Sequence, residues 1–371
     1  MIAMHRWIRI FSRFDWALLL ASLSISAIGL LAIFGIGISR EPHDFFQFNK
    51  QLLAVGIGIV LTLVIACIDY RQIRSLALPI YLSGLVVLGM SLIFGKTLNG
   101  GGRWFMIGSL SFQPIEFGKV TLVIFLASYV ARHAHKRLTW TALIGSIAAI
   151  APYIGITLAQ PDFGSAMVLV ACWGAIVLFC GLPRHAWWIF LVTGLTIAAA
   201  LWTFGLKPYQ KDRLTTFFDP TTDTRGAGYN VAQARIAIGS GQWFGKGIGE
   251  GSQARLRFLP EASTDFMFAV LGEELGFVGL AVVLSLFGFL LVRLVVIARR
   301  AEDPFASVCL IGIAAIMAFH LLVNAGMNLG VMPVTGIPLP FASAAASSLI
   351  MTFICIGIAE SAVVHSRGTF A

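Results

Sequence analysis

The chain has 371 residues, 58% of them hydrophobic and 12% charged, with a mean hydropathy of +0.88. Soluble domains carry about 25% charged residues, so the composition excludes an ordinary soluble protein and points to an all-α, polytopic membrane protein. The net charge of +9 calls for no nucleic-acid partner, because Lys and Arg gathered in cytoplasmic loops explain much of it.

The N-terminus, MHRWIRIFSRFD, is basic and leads into a full-length apolar run, which predicts a first span rather than a cleaved signal peptide. A bilayer core of about 30 Å takes roughly 20 apolar residues per helix. Runs of that kind predict about ten transmembrane helices, at 16–38, 51–69, 76–95, 114–131, 139–159, 164–182, 186–205, 272–297, 305–325 and 344–364. The fourth is the weakest, since it opens with Glu116 and Lys119. With the N-terminus inside, Arg6, Arg9, Arg13, Arg71, Arg74, Arg132, Lys136, Arg137, Arg184, Arg293, Arg299, Arg300 and Arg367 fall on the inner side. Only Arg40, Lys50, Lys96, Arg103 and Lys119 fall in the short outer segments. Both termini are therefore expected in the cytoplasm, and the long polar segment 206–265 is expected as one large extracytoplasmic loop. No linker or low-complexity tail divides residues 1–371, so one integral membrane domain is expected. No internal repeat is evident. The five cysteines lie in apolar runs without metal-type spacing and read as small buried hydrophobes.

Polar residues inside such a chain are costly, about 2.5–3.5 kcal/mol each on insertion scales, and are functional candidates for that reason. NGGGRWFMIGSLSFQPIEFGK supplies Arg103, Glu116 and Lys119. Glu116 and Lys119 share a helix face three residues apart, either as a structural ion pair or as part of a phosphate site. QPDFGSA places Asp162 between two spans, where it reads first as a tight turn capping the next helix and second as a partner for a cation such as Lys119. The glycines from 239 to 251 do not follow a strand, and GKG lacks the Ser or Thr of a phosphate loop. NVAQARIAI predicts a short helix lying on the membrane or the bundle. Arg235, Lys246, Arg255 and Arg257 read either as a solvated face or as groups facing an anion. Asp265 closes the long loop just before a hydrophobic helix. That position suits a helix-start carboxylate or a catalytic one at the membrane surface. His320, inside the ninth span, reads as a packing residue rather than a ligand.

Several strings together resemble the SEDS family (shape, elongation, division and sporulation). They are GGGRW, QPIEFGK, QPDFGSA, YQKDR, FFDP, GYNVAQARIAIGSG, GKGIGEGSQ, RFLPEASTDFMFAVLGEELG and NAGMNLGVMPVTGIPLPFAS. They occur in family order over nearly the whole chain. GYN with QARIAIGSG and GKG looks more like the elongation-type RodA branch than the division-type FtsW branch. The resemblance implies a ten-span peptidoglycan glycosyltransferase of the bacterial inner membrane that polymerises lipid II at its outer face. It also implies a class B penicillin-binding protein as transpeptidase partner. The family's essential aspartate falls on Asp265, its QP-x-E-x-x-K motif on Gln113, Pro114, Glu116 and Lys119, and its loop arginine on Arg103. Where the family shows S-Y-G-G-S-S, this chain reads Ser343, Ala344, Ala345, Ala346, Ser347 and Ser348.

The chemistry so implied is one inverting displacement, with Asp265 as general base. Arg103 and Lys119 are expected to hold the departing pyrophosphate, and a divalent cation (Mg or Mn) is a candidate helper. Glu116, Asp162, Lys246 and Arg255 complete the expected substrate-binding set. Two other readings remain from the sequence: a lipid II flippase, or a non-catalytic scaffold that activates a penicillin-binding protein.

Overall fold

The computed structural model describes residues 12–39, 42–98, 101–107, 110–133, 138–182, 188, 226–256 and 258–366. Its helices are α1 (Trp16–Ile38), α2 (Phe46–Ala66), the short α3 (Tyr70–Ser75), α4 (Ala77–Phe94), α5 (Pro114–His133), α6 (Trp140–Ala159), α7 (Phe163–Cys180), α8 (Ala227–Ser240), the short α9 (Ser252–Arg255), α10 (Met267–Arg300), α11 (Pro304–Leu329) and α12 (Ala346–Val364). Among the described residues nine of these are long and apolar enough to cross a membrane, and they match nine of the ten expected spans. The remaining one, 186–205, lies outside the described residues apart from Trp188, as do YQKDR, FFDP and Arg257.

Local chemistry sets the helix starts. Asp15 caps α1 through Leu18 N, Thr139 caps α6 through Ala142 N, and Asp303 caps α11 through Phe305 N, with Pro304 at the first helical position. Gly330 ends α11 in the left-handed conformation that glycine adopts without steric cost.

Burial separates the inner helices from the outer ones. In α5 and α12, 78% of the most apolar stretch is buried, against 28% in α2 and α4. Polar side chains stitch neighbours together within the bundle. Tyr153 Oη donates to Tyr81 O at 2.9 Å, Tyr81 Oη to Ala149 O at 2.7 Å, and Thr62 Oγ1 to Phe353 O at 2.8 Å. At the end where α1 begins, Arg293 pairs with Asp15 at 2.7 Å and Arg74 with Asp303 at 3.2 Å.

Among the described residues the all-α fold carries one small sheet. Lys96–Leu98 (β1), Gly101–Ile107 (β2) and Leu110–Phe112 (β3) form a small antiparallel meander in the order β1-β2-β3, pairing Phe105 with Phe112. It lies on the end of the bundle opposite Asp15, joining α4 to α5.

The glycine-rich stretch also has a structural explanation. Helix α10 is broken at Gly276, whose φ of 68° and ψ of −167° belong to a region essentially reserved for glycine. The loop after α8 wraps this break. Phe277 N and Val278 N donate to Gln242 O and Trp243 O, while Lys246 N and Gly247 N donate to Glu273 O and Glu274 O. Backbone groups freed by the break are thus satisfied within the protein, as a membrane-embedded helix requires. These glycines permit backbone to lie on backbone. A Cβ on Gly276 would collide with the backbone nitrogen of Gly245. Gly276→Ala is therefore expected to lower the thermal unfolding midpoint and open the loop to protease, with backbone strain alone costing about 1–3 kcal/mol. An unchanged midpoint and cleavage pattern would show that the loop gives way freely.

Candidate active site

A cavity of about 420 Å³ opens at the end of the bundle that carries the small sheet. Its walls come from many separate elements. The start of α2 gives Gln47 and Lys50, the sheet gives Trp104 and Ser111, and α5 gives Glu116 and Lys119. The α6–α7 turn contributes Asp162, the turn before α10 contributes Glu261, Thr264 and Asp265, and α11 contributes His320. The extended strap 333–338 and the segment from Ala344 to Ser348 close it.

Asp265 lies in a turn, one residue outside the N-cap. Helix α10 begins at Met267, and its N-cap residue, Phe266, makes no side-chain cap. The Asp265 carboxylate thus stands just ahead of the helix and lines the cavity. Its backbone is held firmly: the carbonyl accepts from Asn324 Nδ2 at 2.9 Å and from Asn328 Nδ2 at 3.2 Å. Asn324 also donates to Ile337 O at 2.8 Å, which ties the strap to the same helix.

Lys119 Nζ lies 2.7 Å from Glu116 Oε1 and 2.9 Å from His320 Nε2. Lys119 is 2% and Glu116 5% exposed, so the pair is desolvated except where the cavity reaches it. His320, expected as packing, instead belongs to this cluster. Asp162 does cap α7, accepting from Ser165 N at 2.9 Å and Ser165 Oγ at 2.7 Å, and it lines the cavity as well.

Three expected site residues lie elsewhere. Arg103 donates from Nη1 to Leu92 O at 2.9 Å and Gly95 O at 3.3 Å, so its guanidinium serves the C-terminal carbonyls of α4 and does not line the cavity. Alternation along β2 sends its neighbour Trp104 inward instead. Lys246 pairs at 2.8 Å with Glu273, whose carboxylate also accepts from Ser252 Oγ and Gln253 N. This cluster clamps the glycine loop to α10. Arg255 makes an exposed contact with Glu250 at 3.7 Å. Helix α8 lies on the bundle as expected, burying Ala234 and Ala237 while Ile236 is exposed.

The cavity also brings in residues the sequence reading passed over. Lys50 Nζ donates to Ser111 Oγ at 2.9 Å and supplies a cation on the wall where Arg103 was expected. His320, Asn324 and Asn328 recur every four residues on one face of an apolar helix, and polar residues at that spacing in a span are a legible signal. The departure at Ala344, Ala345 and Ala346 costs no backbone strain, because none of the three has a positive φ. Their small side chains form part of the cavity wall. Ser343 holds the segment in place, donating from Oγ to Thr264 O at 2.6 Å while its own carbonyl accepts from Gln51 Nε2 at 2.7 Å. Among the described residues no three His, Cys, Asp or Glu side chains are placed to hold a metal ion, so these donors do not by themselves build a divalent-cation site.

Residues 15–368 match the family model described as the FtsW, RodA and SpoVE cell cycle protein family. Among curated proteins, the chain is 36% identical over 356 residues to a probable peptidoglycan glycosyltransferase FtsW of Thiomicrospira cyclica, covering 93% of this chain and 90% of that protein. It is 35% identical over 356 residues to the peptidoglycan glycosyltransferase MrdB of Escherichia coli K12, covering 95% and 94%. Among solved structures, a chain from a peptidoglycan synthase complex that coordinates polymerization and crosslinking superposes with a TM-score of 0.80 at 32% identity, covering 94% of this chain and 97% of that one. The rod shape determining protein RodA of Thermus thermophilus superposes with a TM-score of 0.71 at 29% identity, covering 96% and 98%.

Proposed function

The chain belongs to the FtsW, RodA and SpoVE family of cell cycle proteins and is a peptidoglycan glycosyltransferase, and we propose that the cavity around Asp265 is where it polymerises lipid II. One observation carries this reading: a carboxylate, Asp265, and two ammonium groups, Lys50 and Lys119, converge on one cavity from three different elements. Such a set can take a proton at one place and hold an anion at another.

The reaction joins O4 of an acceptor GlcNAc to C1 of a lipid-linked MurNAc. Asp265 takes the proton from the attacking hydroxyl as the new C–O bond forms. The C1–O bond to the undecaprenyl diphosphate breaks on the opposite face, and its electron pair leaves with the diphosphate. The α-linked donor thus becomes a β-1,4 product in one step, the inverting stereochemistry familiar from glycoside hydrolysis. Charge grows on the leaving oxygen, and preorganised cations beside it lower the barrier. Lys119 fills that role, with Lys50 in the place the sequence reading had given to Arg103.

Lys50→Gln keeps a polar group near Ser111 and removes the charge. It is expected to lower kcat/KM about tenfold, an effect worth about 1.4 kcal/mol, with the unfolding midpoint unchanged. Wild-type kinetics would remove Lys50 from the anion site.

The cavity end is proposed to face the periplasm. Arg74 and Arg293 lie at the other end, as the inner bias of Lys and Arg requires. A class B penicillin-binding protein is the proposed partner, an assignment supported by the similar chain in a complex that couples polymerization to crosslinking. The elongation branch is proposed from the GYN, QARIAIGSG and GKG strings together with the likeness to RodA. The test incubates purified protein with lipid II and the partner, its transpeptidase blocked, and resolves the products on a gel. Glycan strands are expected. Lipid II left unpolymerised in the presence of the partner would overturn the reading and favour flipping or scaffolding.

A further inference from the structure

The Lys119 ammonium has three N–H groups, and among the described residues two are accounted for. One goes to Glu116 Oε1 at 2.7 Å and one to His320 Nε2 at 2.9 Å. The other ring nitrogen settles which tautomer His320 carries. Its Nδ1 lies 3.3 Å from Pro338 O, and a carbonyl oxygen only accepts. The proton therefore sits on Nδ1, and Nε2 presents a lone pair to the ammonium. With two N–H groups fixed roughly 109° apart by tetrahedral nitrogen, the direction of the third is fixed too. Lys119 lines the cavity, and an anionic oxygen bound there can accept from that third N–H.

The same helix face fixes the other half of the site. His320, Asn324 and Asn328 stand at successive four-residue steps on α11. The first holds Lys119, and the other two hold the Asp265 carbonyl. The strap is bound at both points, through Pro338 O by His320 and through Ile337 O by Asn324. Gly336, between the strap residues and beside Asp265, has a φ of 73°, and a Cβ there would lie 3.4 Å from Asp265 Oδ2. One rigid helix thus sets the spacing between the base and the cation. A long, unbranched lysine on its own would leave that spacing to four rotatable bonds.

We propose that His320 is a positioning residue, whose Nε2 lone pair aims the remaining N–H of Lys119 at the diphosphate leaving group. This rests on the reading that lipid II reacts in this cavity. The effect belongs to the transition state, where charge on the leaving oxygen is greatest, so it appears in kcat more than in KM.

The experiment compares His320→Leu and His320→Gln in the full chain with its partner, using lipid II polymerisation under saturating and limiting substrate. Leucine fills the space but accepts nothing. Glutamine can accept from Lys119 through its carbonyl oxygen and donate to Pro338 O through its amide. H320L is expected to lose 10- to 100-fold in kcat with KM within about twofold, a loss of the size seen for a misplaced catalytic group. H320Q is expected to recover to within about threefold of wild type. Wild-type kcat in H320L overturns the proposal, and so does a folded H320Q as inactive as H320L. A second arm needs no activity: solid-state nitrogen NMR of histidine-labelled protein, with H320Q used to assign the signal. A proton on Nδ1 and a bare Nε2 are expected, and a proton on Nε2 overturns the proposal. This arm reads the His320 tautomer whatever the substrate proves to be, so failure of the lipid II reading is distinguishable from failure of the His320 assignment.

Discussion

Asp265→Asn is expected to abolish glycan polymer in the lipid II assay while leaving the protein folded and able to bind its partner. Asparagine keeps the shape of the side chain and loses the basic oxygen. Removing a general base typically costs 10²–10⁴-fold. The turn that carries residue 265 is held through its backbone: the carbonyl accepts from Asn324 and Asn328, and the amide donates to Glu261 O at 3.1 Å. A loss of activity in this variant therefore reads as lost chemistry, and an unchanged unfolding midpoint checks that directly. A variant that polymerises lipid II at the wild-type rate would sink the base assignment.

Lys119→Met is expected to lose both activity and stability, and the two losses can be separated. The ammonium forms a buried ion pair with Glu116. Taking away one partner of such a pair leaves the other charge buried without compensation, at a cost of roughly 3–5 kcal/mol. Glu116→Gln combined with Lys119→Met removes both charges, and replacing a buried pair entirely is often close to neutral. The double variant should therefore regain much of the stability lost by Lys119→Met. It should regain none of the activity, because the cation that faces the leaving group is still missing. Thermal unfolding of the two singles and the double closes the cycle. Polymerisation restored in the double variant would make Lys119 a structural residue only.

The contrast between Lys119 and Arg103 shows where local reading stops. Both were expected beside the diphosphate, because both are cations in polar strings near the outer surface. Arg103 sits on a β-strand the sequence reading did not foresee, and strand alternation turns it away from the cavity and onto α4. Short strands in a chain dominated by apolar helices carry little periodic signal, and this meander is only a few residues per strand. Lys246 and Arg255 lie away from the cavity for a related reason. A glycine-rich loop looks like a ligand cradle in one dimension, but here it folds onto the break in α10, and Glu273 claims Lys246. His320 erred the other way. A lone histidine in a span is usually packing, and only its distance to a lysine 201 positions away makes it part of a site.

The sequence by itself determined the membrane class, nine of the helices that cross, the order of the polar strings and the position of Asp265 at the entrance to α10. Each of these follows from apolar content summed over about 20 neighbouring residues or from a contiguous motif, and both are local properties. Only the tertiary structure decided which polar residues share a cavity. That outcome depends on how each helix is rotated about its axis and which element covers it, and these are set by packing between segments far apart in the chain. Glu116, Lys119, Asp162 and Asp265 converge because the start of α5, the α6–α7 turn and the turn before α10 all border one cavity. Lys50 and His320 join them through the same packing, and Arg103 is carried away by it.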